Sequence, residues 1–393
     1  MPQAALQVRL VRSIAEIPAR TWDACANPPA VPENPFVGHA FLLALEKSGS
    51  VGGRSGWTPL HVVLEDTGGE ILGLAPAYVK SHSQGEYVFD YGFAEAYENA
   101  GGQYYPKLQV AVPFTPVTGP RLLVPPGPDQ DLRRAALGEG LRAVMQQFEL
   151  SSVHATFATE AECDILGRHG YLVRTQQQFH WFNEGYATYD DFLAALASRK
   201  RKQLKRERRE AVANGIGIRW ITGREITEAH WDAFFAFYMD TGSRKWGRPY
   251  LNRRFFSLLG EAMADRVLLV MAERGGRFVA GALNLIGGDA LYGRYWGCIE
   301  EHPFLHFEVC YHQAMDYAIQ HRLPRVEAGA QGQHKLARGY RPITTFSAHA
   351  FADRGLERAV ARYLEQERVH VEEANEALEE AGPFRRGMRE EVE

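Results

Sequence analysis

The sequence predicts a mixed α/β fold built as two tandem halves, and three observations predict it. At 393 residues the chain is too long for one comfortable core. Its 45% apolar and 23% charged content is that of ordinary globular protein, so most of this length should fold. The order of elements also recurs, roughly β-α-α-β-β-β-α-β, on either side of a turn at Gly185. The expected halves are 1–185 and 186–382, followed by a charged tail, 383–393.

In the first half, Leu6–Val11 alternates like a strand, and Pro18–Ala26 and Pro35–Lys47 have helical spacing. His61–Glu65 and Ile71–Val79 read as strands joined by a turn over Asp66–Gly69. An aromatic-rich stretch runs from Glu86 to Tyr105. Lys107–Val124 is strand-like but broken by three prolines. Asp129–Glu149 is a helix, Ser152–Phe157 a strand, Ala161–His169 a short helix and Leu172–Phe182 a strand.

In the second half, Asp190–Ala213 reads as one helix and Ile216–Ile221 as a strand. Glu228–Thr241 and Asn252–Met263 are helical. Val267–Glu273, Phe278–Leu285 and Ala290–Trp296 form strands with Gly-Gly turns. Phe307–His321 is a helix, Arg325–Ala328 and Thr344–Phe351 are strands, and Leu356–Glu380 is a long closing helix.

The formal charge of −4 argues against a dedicated nucleic-acid coat protein, while leaving room for a local basic patch. The start lacks the apolar run of a signal peptide, and no stretch approaches 18 apolar residues, so a cytoplasmic chain without a membrane span is expected. Cys25, Cys163, Cys298 and Cys310 form no CxxC pair, which speaks for four thiols over a disulfide frame or structural zinc. His302, His306 and His312 cluster with Glu308 and Cys310, but the two i,i+4 pairs point in different helical directions, and no metal site is expected. A phosphate-binding GxxxxGK[ST] loop, a GxSxG elbow and an HExxH pair are all absent.

Three segments are too polar for simple core. Strand alternation in Leu291–Gly297 puts Tyr292, Arg294 and Trp296 on one face and Tyr295 on the other. Phe304–Tyr311 opens a helix with His306, Glu308 and Tyr311. Glu327–Tyr340 leaves a strand to become a Gly-rich loop with His334, Lys335 and Arg338, a pattern that suits an anion. The same loop can also be a simple chain turn with solvated cations.

The run Arg199–Arg209 puts Arg199, Lys202, Arg206 and Arg209 on one helical face, where they can attract phosphates or simply meet solvent. In the first half Glu86, Asp90, Tyr104, Tyr105 and Lys107 crowd one region, and Thr115–Arg121 is a stiff loop ending in a cation. Such a wall suits an amine-bearing acceptor, or an irregular half-buried hairpin.

The string Glu327-x-Gly329-Ala330-Gln331-Gly332-x-His334-Lys335-x-Ala337-Arg338-Gly339-Tyr340 resembles the signature of a bacterial family of Fem-like predicted N-acyltransferases, described as concerned with peptidoglycan biosynthesis or recognition. Asn34-Pro35-Phe36, Gly85–Asp90, Tyr104–Leu108, Val112–Arg121, Gln178–Trp181 and Ser198–Lys202 match it as well, over nearly the whole chain. The resemblance implies two tandem GNAT-like acyltransferase domains. It implies transfer of an acyl or aminoacyl group, with acyl-CoA or aminoacyl-tRNA as co-substrate and no tightly bound cofactor, to an amine acceptor such as a peptidoglycan precursor. A tRNA or nucleotide-sugar peptide is then a partner. The chain lacks the long coiled-coil insertion of some Fem enzymes.

Acyl transfer needs a base for the amine and a donor for the leaving group. The residue types assign Glu308 or Asp90 as base and Tyr295 or Tyr311 as acid. Lys335, Arg338, His334, Gln331, Gly332, Tyr340, Arg294, Trp296, Tyr105, Lys107 and Arg121 are the expected substrate contacts. An acetyl-CoA-dependent transferase and a non-catalytic module recognising a cell-wall precursor or RNA are the competing expectations.

Overall fold

The computed structural model describes residues 6–245, 249–329 and 332–385. They group into two compact units: Met1–Gln176 with Thr344–Glu373, and Gln177–Ile343 with Ala374–Glu393. The units therefore do not follow chain order as the expected 185/186 division does. The first recovers a strand and most of a helix from the far end of the chain.

In chain order the first unit contains β1 (Gln7–Val11), α1 (Ala19–Ala26), α2 (His39–Ser48), β2 (Trp57–Pro59), β3 (His61–Glu65), β4 (Ile71–Ala75), β5 (Ala77–Lys80), α3 (Tyr91–Asn99), β6 (Lys107–Val110), α4 (Gln130–Gln147), β7 (Ser152–Ala158) and α5 (Glu160–Arg168). β8 (Leu172–Phe182) leads into the second unit. That unit holds α6 (Tyr189–Ala195), α7 (Ser198–Ala211), β9 (Ile216–Thr222), α8 (Glu228–Lys245), α9 (Arg253–Met263), β10 (Val267–Arg274), β11 (Arg277–Ile286), β12 (Ala290–Cys298), α10 (Leu305–Phe307), α11 (Gln313–Gln320) and β13 (Arg325–Glu327). β14 (Arg341–Phe351) and α12 (Arg354–Glu380) follow.

The first unit has a small antiparallel sheet, β1-β3-β4, and a larger one ordered β2-β5-β6-β7-β14, in which β6 and β7 run parallel. The apolar face of the larger sheet, with Leu108, Val110, Val153, Ala155, Ala348 and Ala350, packs with Leu137, Leu141 and Val144 of α4. The second unit's sheet runs β8-β13-β12-β11-β10-β9, with β12 and β13 parallel and the other pairs antiparallel. Its core gathers Trp181, Phe192, Leu204, Leu268, Val270, Leu291, Val309 and Met315. The mixed α/β class read from the sequence is present in both units.

Several boundaries differ from the expected ones for identifiable reasons. The single strand expected over Ile71–Val79 breaks at Pro76, which has no N–H to give a ladder, and β4 and β5 enter different sheets. The single helix expected over Asp190–Ala213 breaks at Leu196-Ala197, where Leu196 bridges Phe384 and the Ala197 N–H donates to Pro383. Of Lys107–Val124 only the first four residues form a strand. The aromatic stretch contains helix α3. A π-helical turn, Glu308–His312, interrupts the helix expected from Phe307.

Candidate functional site

In the second unit, helix α7 presents two unlike faces. Arg199, Lys202, Arg206 and Arg209 are all exposed along one of them, as their spacing requires. The other face carries Glu207 and Arg208 inward. Arg208 grips Glu308 through Nε at 3.1 Å and Nη2 at 2.9 Å, reaches Asp316 at 2.5 Å and lies 4.3 Å from the Tyr189 ring centre. Gln313 adds a third donor to Glu308 at 2.7 Å. Glu308 is thus committed to an ion pair and is not placed to take a proton from an amine, which corrects its expected role as base.

Glu207, 2% exposed, accepts from Arg338 Nη2 at 2.9 Å and from Gln203 at 2.9 Å. His312 Nε2 lies 3.9 Å from the same carboxylate, and His312 Nδ1 shares a 2.7 Å hydrogen bond with the Tyr189 hydroxyl. Arg338 Nη1 donates to the His334 carbonyl, and its guanidinium lies 3.3 Å from the Phe307 ring centre. Both terminal nitrogens are taken by protein, while Nε is buried without a hydrogen-bond partner, so the side chain orients the loop.

The loop itself tightens into a 3-10 helix, Gln333–Arg338, entered at Gly332 (φ 125°) and left at Gly339 (φ 86°). A Cβ on Gly339 would stand 2.7 Å from the Phe192 ring, so glycine is required there for space as well as for φ. The turn carries Lys335 inward. This amine is 1% exposed, donates to the Gly329 carbonyl at 2.7 Å and, among the described residues, pairs with no carboxylate. Burial pushes it down to about 7. Gln331 lies outside the described residues.

A ladder of rings connects this amine's loop to a cavity. Tyr311 OH and His334 Nε2 share a 2.8 Å hydrogen bond. The His334 and His306 rings are 6.3 Å apart, and His306 stands 5.2 Å from Trp296. Trp296 and His306 line a cavity of about 470 Å³ with Thr241, Cys298, Glu300, Glu301, His302 and Leu305. Tyr311 is 5% exposed, and burial raises its hydroxyl above the ordinary phenol range, so it stays protonated and able to donate. Tyr340 is fully buried with its ring 5.6 Å from Tyr311 and serves as a backing wall. A π-turn at Glu308–His312 sets the spacing of this edge, and such turns concentrate at functional sites.

The simple alternation expected in β12 does not survive. A bulge between Gly293 and Tyr295 leaves Arg294 without a cross-strand partner in the register and resets the faces around it. Tyr295 packs 5.2 Å from Tyr238, and the Arg294 guanidinium lies 5.1 Å from the Tyr295 ring, while Trp296 turns to the cavity.

The first unit holds a separate buried network. Lys107 Nζ donates to Glu86 Oε2 at 2.7 Å, to Ser83 at 2.8 Å and to Asp90 Oδ2. Tyr104 OH donates to Asp90 at 2.7 Å, and Ser83 meets the Tyr105 hydroxyl at 2.8 Å. Burial works to raise the Asp90 carboxyl, but Lys107, then His154, hold it well below the usual range. Asp90 Oδ2 is taken up by Lys107 and the Tyr104 hydroxyl, so the carboxylate expected as a base is one member of a buried ion pair. Arg121 is 1% exposed and spends its guanidinium on the carbonyls of Val117, Gly119, Pro120 and Thr156. It locks the Thr115–Arg121 loop from inside and is not placed to meet a substrate.

Sequence reasoning missed Glu207, Arg208 and Tyr189 in the second unit and Lys80, His154 and His349 in the first. A lone acid inside a run of cations was the available sign for Glu207. Among the described residues no group of three or more His, Cys, Asp or Glu side chains is placed to hold a metal ion, and no helix is long and apolar enough to cross a membrane.

The family model described as FemAB-like, for peptidoglycan biosynthesis or recognition, matches residues 13–386. The chain belongs to the FemAB-like family. Among solved structures it is similar to the crystal structure of FemX, with 10% identity, a TM-score of 0.52, and coverage of 90% of this chain and 100% of that one. That similarity shows a shared fold. The structure of L-PGS from Bacillus licheniformis also matches, at 9% identity and a TM-score of 0.49, over 81% of this chain and 92% of that one. So does a tandem GNAT protein from the clavulanic acid biosynthesis pathway, at 11% identity and a TM-score of 0.47, over 89% and 99%. No curated protein matches by sequence. Within this FemAB-like chain the Gly-rich segment that ends at Tyr340 contributes the Lys335 turn and, through His334, one ring of the ladder beside it.

Proposed function

We propose that this FemAB-like chain is an N-acyltransferase that moves an acyl or aminoacyl group onto an amine, with a peptidoglycan precursor as the acceptor class the family description favours. The observation that carries the reading is Lys335, a buried amine with no carboxylate partner among the described residues, held near 7 in the turn that also carries His334, the partner of Tyr311. In the reaction the acceptor nitrogen attacks the acyl carbonyl, a C–N bond forms, and the C–O or C–S bond to the donor breaks. Neutral Lys335 takes the proton lost by the nitrogen. Tyr311 donates to the leaving oxygen or sulfur and recovers a proton through His334. The cavity walled by Trp296 and His306 is the place for the acyl end of the donor.

Two donors fit this chemistry. The exposed cations from Arg199 to Arg209 favour aminoacyl-tRNA over acyl-CoA, because ten residues of helix run for about 15 Å, longer than a single diphosphate needs. Transfer of labelled aminoacyl-tRNA and of labelled acetyl-CoA to a panel of amines decides between them. Product from neither donor, with a folded protein, overturns the assignment.

A further inference from the structure

The larger sheet of the first unit has a second face unlike its apolar one. Register places Tyr78, Gln109, His154 and His349 side by side across β5, β6, β7 and β14. Trp57, Lys80 and Lys107 form the adjacent row across β2, β5 and β6. All seven side chains are at most 1% exposed. Burying such a row costs several kcal/mol per unpaired group, so a fold retains it only where the polar atoms are used.

Most of these atoms are used within the network. Lys80 Nζ stands 3.7 Å from Glu86 Oε1, 3.8 Å from the Trp57 ring centre, and donates to the Gln84 carbonyl at 3.1 Å. Gln109 donates to Thr156 at 2.7 Å. Ser152 meets His154 Nε2 at 2.8 Å, and the Nδ1 atoms of His154 and His349 are 2.7 Å apart, sharing one proton. What remains is of one kind. Glu86 Oε1, Asp90 Oδ1 and Gln109 Oε1 are buried without a hydrogen-bond partner, as is His349 Nε2, an acceptor when His349 gives its Nδ1 proton to His154. The leftover set is three oxygens and an imidazole nitrogen. Its chemical complement is a group rich in N–H donors and carrying positive charge.

We infer that this face of the first unit binds a primary ammonium group through Glu86, Asp90 and Gln109. Tyr105, half-buried and bonded to Ser83, joins this network to the surface. The inference stands apart from the acyl-transfer reading, whose reacting nitrogen is placed at Lys335 in the second unit. Charge balance requires a compensating loss when a cation enters beside two lysines. Lys80 supplies it. Burial pushes Lys80 down to about 7 against the pull of Glu86, and Lys107, Asp90 and His82 are the other titratable groups facing it. Burial likewise pushes the Glu86 carboxyl up to about 7 against the pull of Lys107, so below that pH both groups give up a proton to solvent as the ligand enters. Binding therefore tightens as pH rises toward 7 and loses its pH dependence above.

The test is calorimetric titration of the full chain with propylammonium chloride, propan-1-ol and tetramethylammonium chloride, in two buffers of different ionisation enthalpy. Propylammonium is expected to bind saturably and to release up to two protons below pH 7, one from Lys80 and one from Glu86. Propanol lacks the charge and tetramethylammonium lacks N–H donors, so neither should saturate. Glu86→Gln and Gln109→Leu should each weaken propylammonium at least about tenfold, the loss of one hydrogen bond to a charged group. Equal binding of tetramethylammonium, unchanged binding in both variants, or no saturable binding at all overturns the inference. Amine acylation without ammonium binding at this face would sink this site and leave the transferase reading standing. Binding without acylation by any donor would do the reverse.

Discussion

Arg208 holds Glu308 in a two-pronged ion pair, with Nε and Nη2 at 3.1 and 2.9 Å from the two carboxylate oxygens. The pair ties helix α7 to the π-turn that carries Tyr311. A residue with the look of a catalytic base is in this way turned into a brace for the edge that presents the acid.

The first prediction follows from that bond. Glu308→Gln keeps the shape but leaves Arg208 with Asp316 alone, so the main effect is on stability, about 2 kcal/mol after allowing for the partial exposure of Arg208. The urea midpoint of the variant should fall, and activity per folded molecule should fall much less than in Lys335→Ala. A variant of unaltered stability with turnover lost at every pH would return Glu308 to the role of base.

Lys335 gives a prediction with a sign in pH. Only the neutral amine can accept the acceptor's proton, so wild-type kcat should rise as pH climbs through about 7 and level off above it. Lys335→Ala should lower kcat by about 100-fold or more and flatten that rise. The same amine costs stability. Its pKa is lowered on folding, so between the ordinary lysine value and about 7 the unfolded chain binds more protons. The stability present above that window is lost as pH falls through it. Lys335→Met should therefore be more stable than the wild type at pH 7, with the difference shrinking toward pH 10, in denaturant melts at both values.

What was legible in the sequence was whatever depends on periodicity. The exposed face of α7 is where a spacing of three and four places it, and the strands of the second unit follow their apolar runs. What stayed hidden depends on through-space pairing. Nothing local distinguishes Arg208, which turns inward, from Arg209, which meets solvent; only the carboxylates of Glu308 and Asp316, a hundred residues away, decide it. The bulge at Arg294 cannot be read from alternation, because it is a break in alternation. The polar row Gln109, His154 and His349 needed knowledge that β14 lies beside β7, a pairing between distant parts of the chain.

Arg121 separates a structural cation from a binding one. Its guanidinium satisfies four buried carbonyls of its own loop and of β7. Arg121→Ala strands several of these acceptors, at about 1–3 kcal/mol each, and Arg121→Lys cannot reproduce the fork. Both variants should lose several kcal/mol in urea unfolding or fail to accumulate as soluble protein. A well-folded Arg121→Ala with substrate KM raised and stability intact would place this residue at a ligand after all.

The cationic face of α7 is the place where donor identity becomes measurable. Arg199, Lys202, Arg206 and Arg209 are exposed, and Arg206 meets Glu210 of the same helix at 3.5 Å, so replacing all four with alanine should leave the fold alone. Each phosphate neutralised by such a cation contributes about 0.7 to 0.9 to the slope of log affinity against log salt. If the acyl donor is tRNA, the quadruple variant should bind it more weakly at low salt, with a slope smaller by about 3, and the two proteins should converge as salt rises. The kcat at saturating donor should stay within a few-fold of wild type, because the Lys335 turn is untouched. Acetyl-CoA transfer, measured in parallel, should hardly respond, since a diphosphate engages fewer of these charges. A quadruple variant that binds tRNA with an unchanged salt slope would remove this helix face from the donor site.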